Sequence, residues 1–249
     1  MSRRDNQADL DRSVPLTQAG PLRWLAGAGW LVLVGGGSWR DDETGDVDAA
    51  ALGWADLDRP TAVLPTTGQS IAEAEALLDY YTDLGGPHGY VVPIFDTAGA
   101  QLIENCRLLE TAGLIYISDG LDALALVRAL RDSPALQALI QAFEDGAVIV
   151  AVGAGAAALG SWTDDREVSV GEAPRAVPAL GWLPDVIVAP HFKGTEVSQQ
   201  LRQLLNLHPG CLGLGLPDQV ALGLGPGGEV ESVGPGQVTV VVSGLEVEP

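Results

Sequence analysis

Ala147-Val-Ile-Val-Ala-Val152 runs straight into Gly153-Ala-Gly-Ala-Ala-Ala-Leu159. The first six residues are all apolar and four of them are β-branched, which suits a strand buried on both faces. The small residues that follow suit a helix opening hard against that strand. A buried strand, a sharp turn and a helix in this order have the shape of a nucleophile elbow, whose apex residue sits in a strained backbone conformation. Here the apex is Gly153, with Ala154 next to it. Glycine tolerates the strained dihedrals, but it carries no oxygen or sulfur that could attack a carbonyl. Taken alone, the turn fits equally a plain tight turn or a loop that receives an anion at a helix N-terminus.

Working outward, Trp30-Leu-Val-Leu-Val34 reads as another buried strand, closed by the glycine loop Gly35-Gly36-Gly37. Thr61–Pro65, Gly89–Ile94, Leu114–Ser118 and Val186–Ala189 read as further strands. Helical spacing appears in 70–84, 98–112, 121–130, 134–143 and 195–205. Strands apolar on both faces and alternating with helices call for a mostly parallel sheet covered on both sides, a three-layer α/β/α domain. The end of the chain, 212–216, 220–224 and 238–245 with Gly/Pro turns between, reads as β-rich. No repeat or linker stands out. The organisation expected is a loose polar segment over residues 1–20 and one α/β domain over 21–249.

Composition narrows the function classes. Of 249 residues 47% are hydrophobic, which excludes a disordered chain. The formal charge is −20 and the only lysine is Lys193, so phosphate backbones and anionic lipid surfaces are repelled; neither nucleic acid nor membrane is an expected partner. The N-terminus lacks the apolar core of a secretory signal, and a cytoplasmic location is expected. Cys106 and Cys211 form no disulfide framework and read as small buried hydrophobes. His88, His191 and His208 are scattered, so no metal site is expected, and no cofactor. Both glycine loops lack the spacing of a dinucleotide-binding turn. The acidic run 40–48 reads as a solvated loop. Trp39 and Trp162 each follow a glycine loop, as cleft or core residues.

Five segments, in order, resemble the cyanophycinase and dipeptidase E group, peptidase family S51. They are the loop Gly35–Gly37, the strand Leu114–Ser118, the elbow Ala151–Ala156, Leu180-Gly-Trp-Leu-Pro-Asp-Val-Ile-Val-Ala-Pro-His-Phe192, and Leu212-Gly-Leu-Gly-Leu-Pro-Asp-Gln-Val-Ala-Leu222. The resemblance implies a class I glutamine amidotransferase-like (flavodoxin-like) fold. It also implies a serine peptidase acting at aspartyl peptide bonds, with the oxyanion hole and pocket formed by Gly35, Gly36, Gly37, Ala154, Ser118 and Asp119.

The departures bear on activity. The family's nucleophilic serine falls on Gly153. His191 stays at the base position, the acidic residue two before it becomes Ala189, and Asp218 lies near the family's acidic position. The family's Gly-Gly-Asp/Asn-Gln turn falls on Ser118-Asp119-Gly120-Leu121, so its Gln becomes Leu121, and an arginine falls on Thr195. The expectation is a non-catalytic homologue with a ligand-binding or scaffold role, binding a small peptide or amino acid, with a homodimer permitted. The competing expectation is a hydrolase of aspartyl or cyanophycin-like peptides with a rearranged site. In that case Ser118 is the foremost substitute nucleophile, ahead of Ser38 and Ser161.

Overall fold

Strand residues in the centre of the chain send alternate side chains to opposite faces, and both faces are filled. In the computed structural model, which describes residues 15–65, 68–120, 122–165, 175–193 and 199–242, a hairpin comes first: β1 (Leu16–Ala19) and β2 (Leu22–Leu25). Then come β3 (Leu31–Val34), α1 (Gly45–Trp54), β4 (Thr61–Leu64), α2 (Ile71–Asp83) and β5 (Gly89–Val91). The middle of the chain supplies α3 (Ile103–Thr111), β6 (Leu114–Ile117), α4 (Ala123–Leu130), α5 (Pro134–Glu144), β7 (Val148–Val152) and α6 (Ala154–Ala158). Last come β8 (Trp162–Asp165), β9 (Arg175–Pro178), β10 (Val186–Ala189), α7 (Gln199–Leu207), β11 (Leu212–Gly215), β12 (Ala221–Leu224), β13 (Val230–Val233) and β14 (Thr239–Val242).

The central sheet has the order β13-β12-β3-β7-β6-β4-β5. Its five strands from β3 to β5 are parallel, and β12 joins antiparallel to β3. Leu31, Leu33, Ile115, Ile117, Ile149 and Ala151 pack on one face with residues of α3, α4 and α5. Val32, Val34, Tyr116, Val148, Val150 and Val152 pack on the other with α1 and α2. This is the three-layer arrangement that the two-faced apolar strands require. A smaller sheet, β10-β11-β14, packs on α7 through Ile187, Phe192, Leu201 and Leu205.

Helix starts carry their local signals. Ser70 and Glu73 form a reciprocal capping box at α2, the Ser70 oxygen accepting from Glu73 N–H at 3.2 Å. Ser133 caps α5 ahead of Pro134.

Three differences from the sequence expectations have physical causes. Residues 16–19, inside the segment expected to be loose, pair as β1 with β2; Trp24 of that hairpin is fully buried, which anchors it. Residues 1–14 lie outside the described residues. The acidic run was expected to be a solvated loop, yet α1 begins at Gly45 and Asp48 is buried. Its carboxylate accepts hydroxyl bonds from Thr44 (2.7 Å), Tyr81 (2.7 Å) and Tyr80 (3.1 Å). Burial pushes the Asp48 carboxyl up, against those three donors. The 98–112 helix is split, with a short 3₁₀ turn at Gly99–Gln101 before α3.

Candidate functional site

Four turns at the carboxyl ends of parallel strands converge, the place where open α/β sheets bind ligands. They are the glycine loop after β3, Ser118-Asp119 after β6, Gly153 after β7 and Pro190-His191 after β10. Asp218, between β11 and β12, closes the group. Backbone bonds stitch the turns together: His191 N–H to Gly35 O at 2.9 Å, Gln219 N–H to Gly36 O at 2.8 Å, and Gly153 N–H to Val34 O at 2.9 Å.

Gly153 has φ 54 and ψ −115, a conformation that side-chain-bearing residues adopt only under strain. The strained turn expected of the strand-turn-helix is therefore present, with a glycine at its apex. The space in front of it is taken by Asp119. A Cβ built on Gly153 would lie 1.9 Å from Asp119 Oδ1 and 2.2 Å from its Cγ. Asp119 Oδ1 accepts from the Ala154 N–H at 2.9 Å and the Gly120 N–H at 2.7 Å. The amide that the resemblance assigned to an oxyanion hole is thus already bonded to an internal carboxylate.

His191 stands between two carboxylates. Its Nε2 is 3.5 Å from Asp119 Oδ2, and its Nδ1 is 2.6 Å from Asp218 Oδ1. Asp218, loosely placed by sequence, is the acidic partner of the ring, and Ala189 simply ends β10. His191 itself has φ 53. Gly36 lies against this pair: a Cβ there would come within 2.4 Å of the His191 ring and 2.5 Å of Asp218 Oδ1. The hydrogen bond to Asp119, then that to Asp218, raise the His191 pKa to about 9 despite partial burial. Asp119 is pushed up by burial, but the imidazolium and the two amides outweigh this and leave its pKa lowered. At neutral pH the ring is protonated, an acid rather than a base.

The serines lie elsewhere. Ser118 Oγ is fully buried and bonds Gln69, Ser161 Oγ donates to Leu183 O at 2.9 Å, and Ser38 caps the 3₁₀ turn that follows it. Gly37 closes the glycine loop against Gln219 and the Thr44 methyl group. Trp39 packs on Tyr80, and Trp162 stacks on His208 at 3.8 Å. Leu121 and Thr195 lie outside the described residues. Beside the site is a cavity of about 90 Å³, lined by Gly120, Ala154, Asp164, His191, Gln200 and Leu201 among others. Among the described residues no cluster of three or more potential metal ligands exists, and no helix is long and apolar enough to cross a membrane. Sequence reasoning placed Asp119 in the pocket but not in the nucleophile's space. The one available signal was an acidic residue where the family's turn has its second glycine.

Comparison with known proteins gives a consistent picture. The sequence model of peptidase family S51 matches residues 31–230. A cyanophycinase from Synechococcus elongatus is 29% identical over 192 residues, covering 74% of this chain and 59% of that protein. One from Trichormus variabilis is 28% identical over 173 residues, covering 61% and 57%. The chain thus spans somewhat under three fifths of the length of these relatives. Among solved structures, a peptidase from an acI-B1 actinobacterium superposes with a TM-score of 0.66 at 22% identity, covering 88% of this chain and 97% of that one. A putative peptidase E protein from Listeria monocytogenes EGD-e gives 0.57 at 15%, covering 84% and 99%. At these identities the structural matches speak for the fold.

Proposed function

The chain belongs to peptidase family S51, and from that premise we propose that it is silent as a serine peptidase and uses the inherited cleft to bind a small aspartyl peptide or amino acid. One observation carries this reading: the Asp119 carboxylate fills the space that a nucleophile's side chain on residue 153 would need. Acyl transfer by a serine requires a hydroxyl beside a neutral base and a vacant amide facing the carbonyl oxygen. Here the hydroxyl is absent at residue 153, the ring is protonated at neutral pH, and the Ala154 amide is bonded to Asp119. The cavity beside His191 supports retention of a binding role.

The test is hydrolysis of β-Asp-Arg polymer and Asp-X dipeptides, with thermal melting in the presence of aspartate and Asp-Arg. No turnover together with a ligand-dependent rise in Tm is expected. Wild-type turnover that disappears in His191→Ala would overturn the reading in favour of a rearranged hydrolase.

A further inference from the structure

We propose that Asp119 is a covalent carboxylate nucleophile toward small epoxides, with His191 as proton donor and then base and Asp218 as its positioning partner. This goes beyond the reading above, which concerns acyl transfer from a serine. A carboxylate that merely filled a gap would need only space. Asp119 has more than space: Oδ1 is held by two amides, Oδ2 faces His191 Nε2 at 3.5 Å, and Asp218 holds Nδ1 at 2.6 Å. The side chains of all three remain accessible, at 39%, 46% and 49% exposure for Asp119, His191 and Asp218.

Chemistry selects the substrate class. Carboxylate attack on a peptide carbonyl forms a mixed anhydride, a higher-energy acyl donor than the amide it replaces. Attack on a saturated carbon forms a stable ester, and opening a strained ring drives that step. The departing oxygen of an epoxide stays attached and needs one proton, which the imidazolium holds.

Two steps then balance. First, Asp119 Oδ2 bonds to an epoxide carbon, that carbon's ring C–O bond breaks, and the alkoxide takes the proton from His191 Nε2. Second, neutral His191 takes a proton from water as the water oxygen attacks Asp119 Cγ, and negative charge develops on Oδ1 against the Ala154 and Gly120 amides. The intermediate collapses by breaking the Cγ–Oδ2 bond, with Oδ2 leaving as the second hydroxyl after taking the proton of the newly added oxygen. Water is consumed, a vicinal diol is released, and Asp119 is again a carboxylate beside protonated His191. The adjoining cavity, about 90 Å³ with Asp164 and Gln200 as well as Ala154, Ala157, Ile187 and Leu204 in its wall, has room for a short substituent.

The experiment uses the 249-residue chain and butylene oxide in heavy-oxygen water. Diol formation is expected, and under single turnover the heavy oxygen enters the Asp119 carboxylate, read by mass spectrometry of the peptide that contains it. Asp119→Asn and His191→Gln should each slow diol formation about 100-fold or more. The wild-type isotope result stands even where a variant fails to fold. No diol and no Asp119 adduct from folded wild-type protein overturns the proposal, as does alkylation spread evenly over surface carboxylates. Peptide turnover in the same preparation would sink only the binding reading, so the two failures are distinguishable.

Discussion

A carboxylate and a glycine face each other across the strand-turn-helix, and each makes sense only beside the other. Gly153→Ser alone puts a Cβ within 2 Å of Asp119 and a side chain at φ 54. It should cost about 2 kcal/mol or more by urea denaturation and yield no peptidase activity. Pairing it with Asp119→Gly should recover much of that stability, since the obstructing carboxylate is gone. His191 offers a second residue-scale prediction. Its folded pKa of about 9 exceeds its ordinary 6.5, so its contribution is complete below pH 6.5 and fades as pH rises through about 9. Asp119 is shifted the other way, below 3.8, so its contribution is present above pH 3.8 and fades as pH falls through its lower folded value. Stability should therefore plateau between about pH 4 and 6.5. The alkaline loss should be on the order of 1 kcal/mol, small because both groups are half-exposed. In an NMR titration the His191 ring should show a midpoint near pH 9, moving down in Asp119→Asn.

At the scale of elements, the buried Asp48 ties α1 to α2 through Tyr80 and Tyr81, beside the glycine loop. Tyr81→Phe should cost about 1 kcal/mol, the net worth of one buried hydrogen bond, and Asp48→Ala about 3 kcal/mol, because it leaves a cavity and three hydroxyls without their acceptor. Both are read from urea midpoints. This helix was missed in sequence because its acidic start was read as solvent-facing, and nothing local shows that hydroxyls of Thr44, Tyr80 and Tyr81 receive the buried Asp48 carboxylate. The buried strands were legible because period-two burial on both faces leaves an unbroken apolar run, as in Val148–Val152. The elbow was legible as a turn for the same reason: only glycine fits such dihedrals cheaply. What fills the elbow was not, because Asp119 and Gly153 are far apart in sequence and meet only when β6 lies beside β7.

For the whole molecule, net charge bears on stability. With a formal charge of −20 and one lysine, surface carboxylates repel each other more than they are paired. Raising salt from about 10 to 150 mM shortens the screening length from roughly 30 to 8 Å. Tm should rise by about 2–4 °C over that range, as followed by circular dichroism. The central parallel strands and most of the helices over them follow from patterning and were readable, whereas β8, β9 and β13 were not. Nor was the β1–β2 hairpin: β1 falls in the segment expected to be loose, and the buried Trp24 and Leu25 of β2 anchor the pair to the core.

The 1.9 Å separation at Gly153 also makes positions 119 and 153 a single unit. A side chain at 153 has room only when the Asp119 carboxylate swings off its two amides. Substitutions at the two positions should therefore be non-additive, each setting what the other costs.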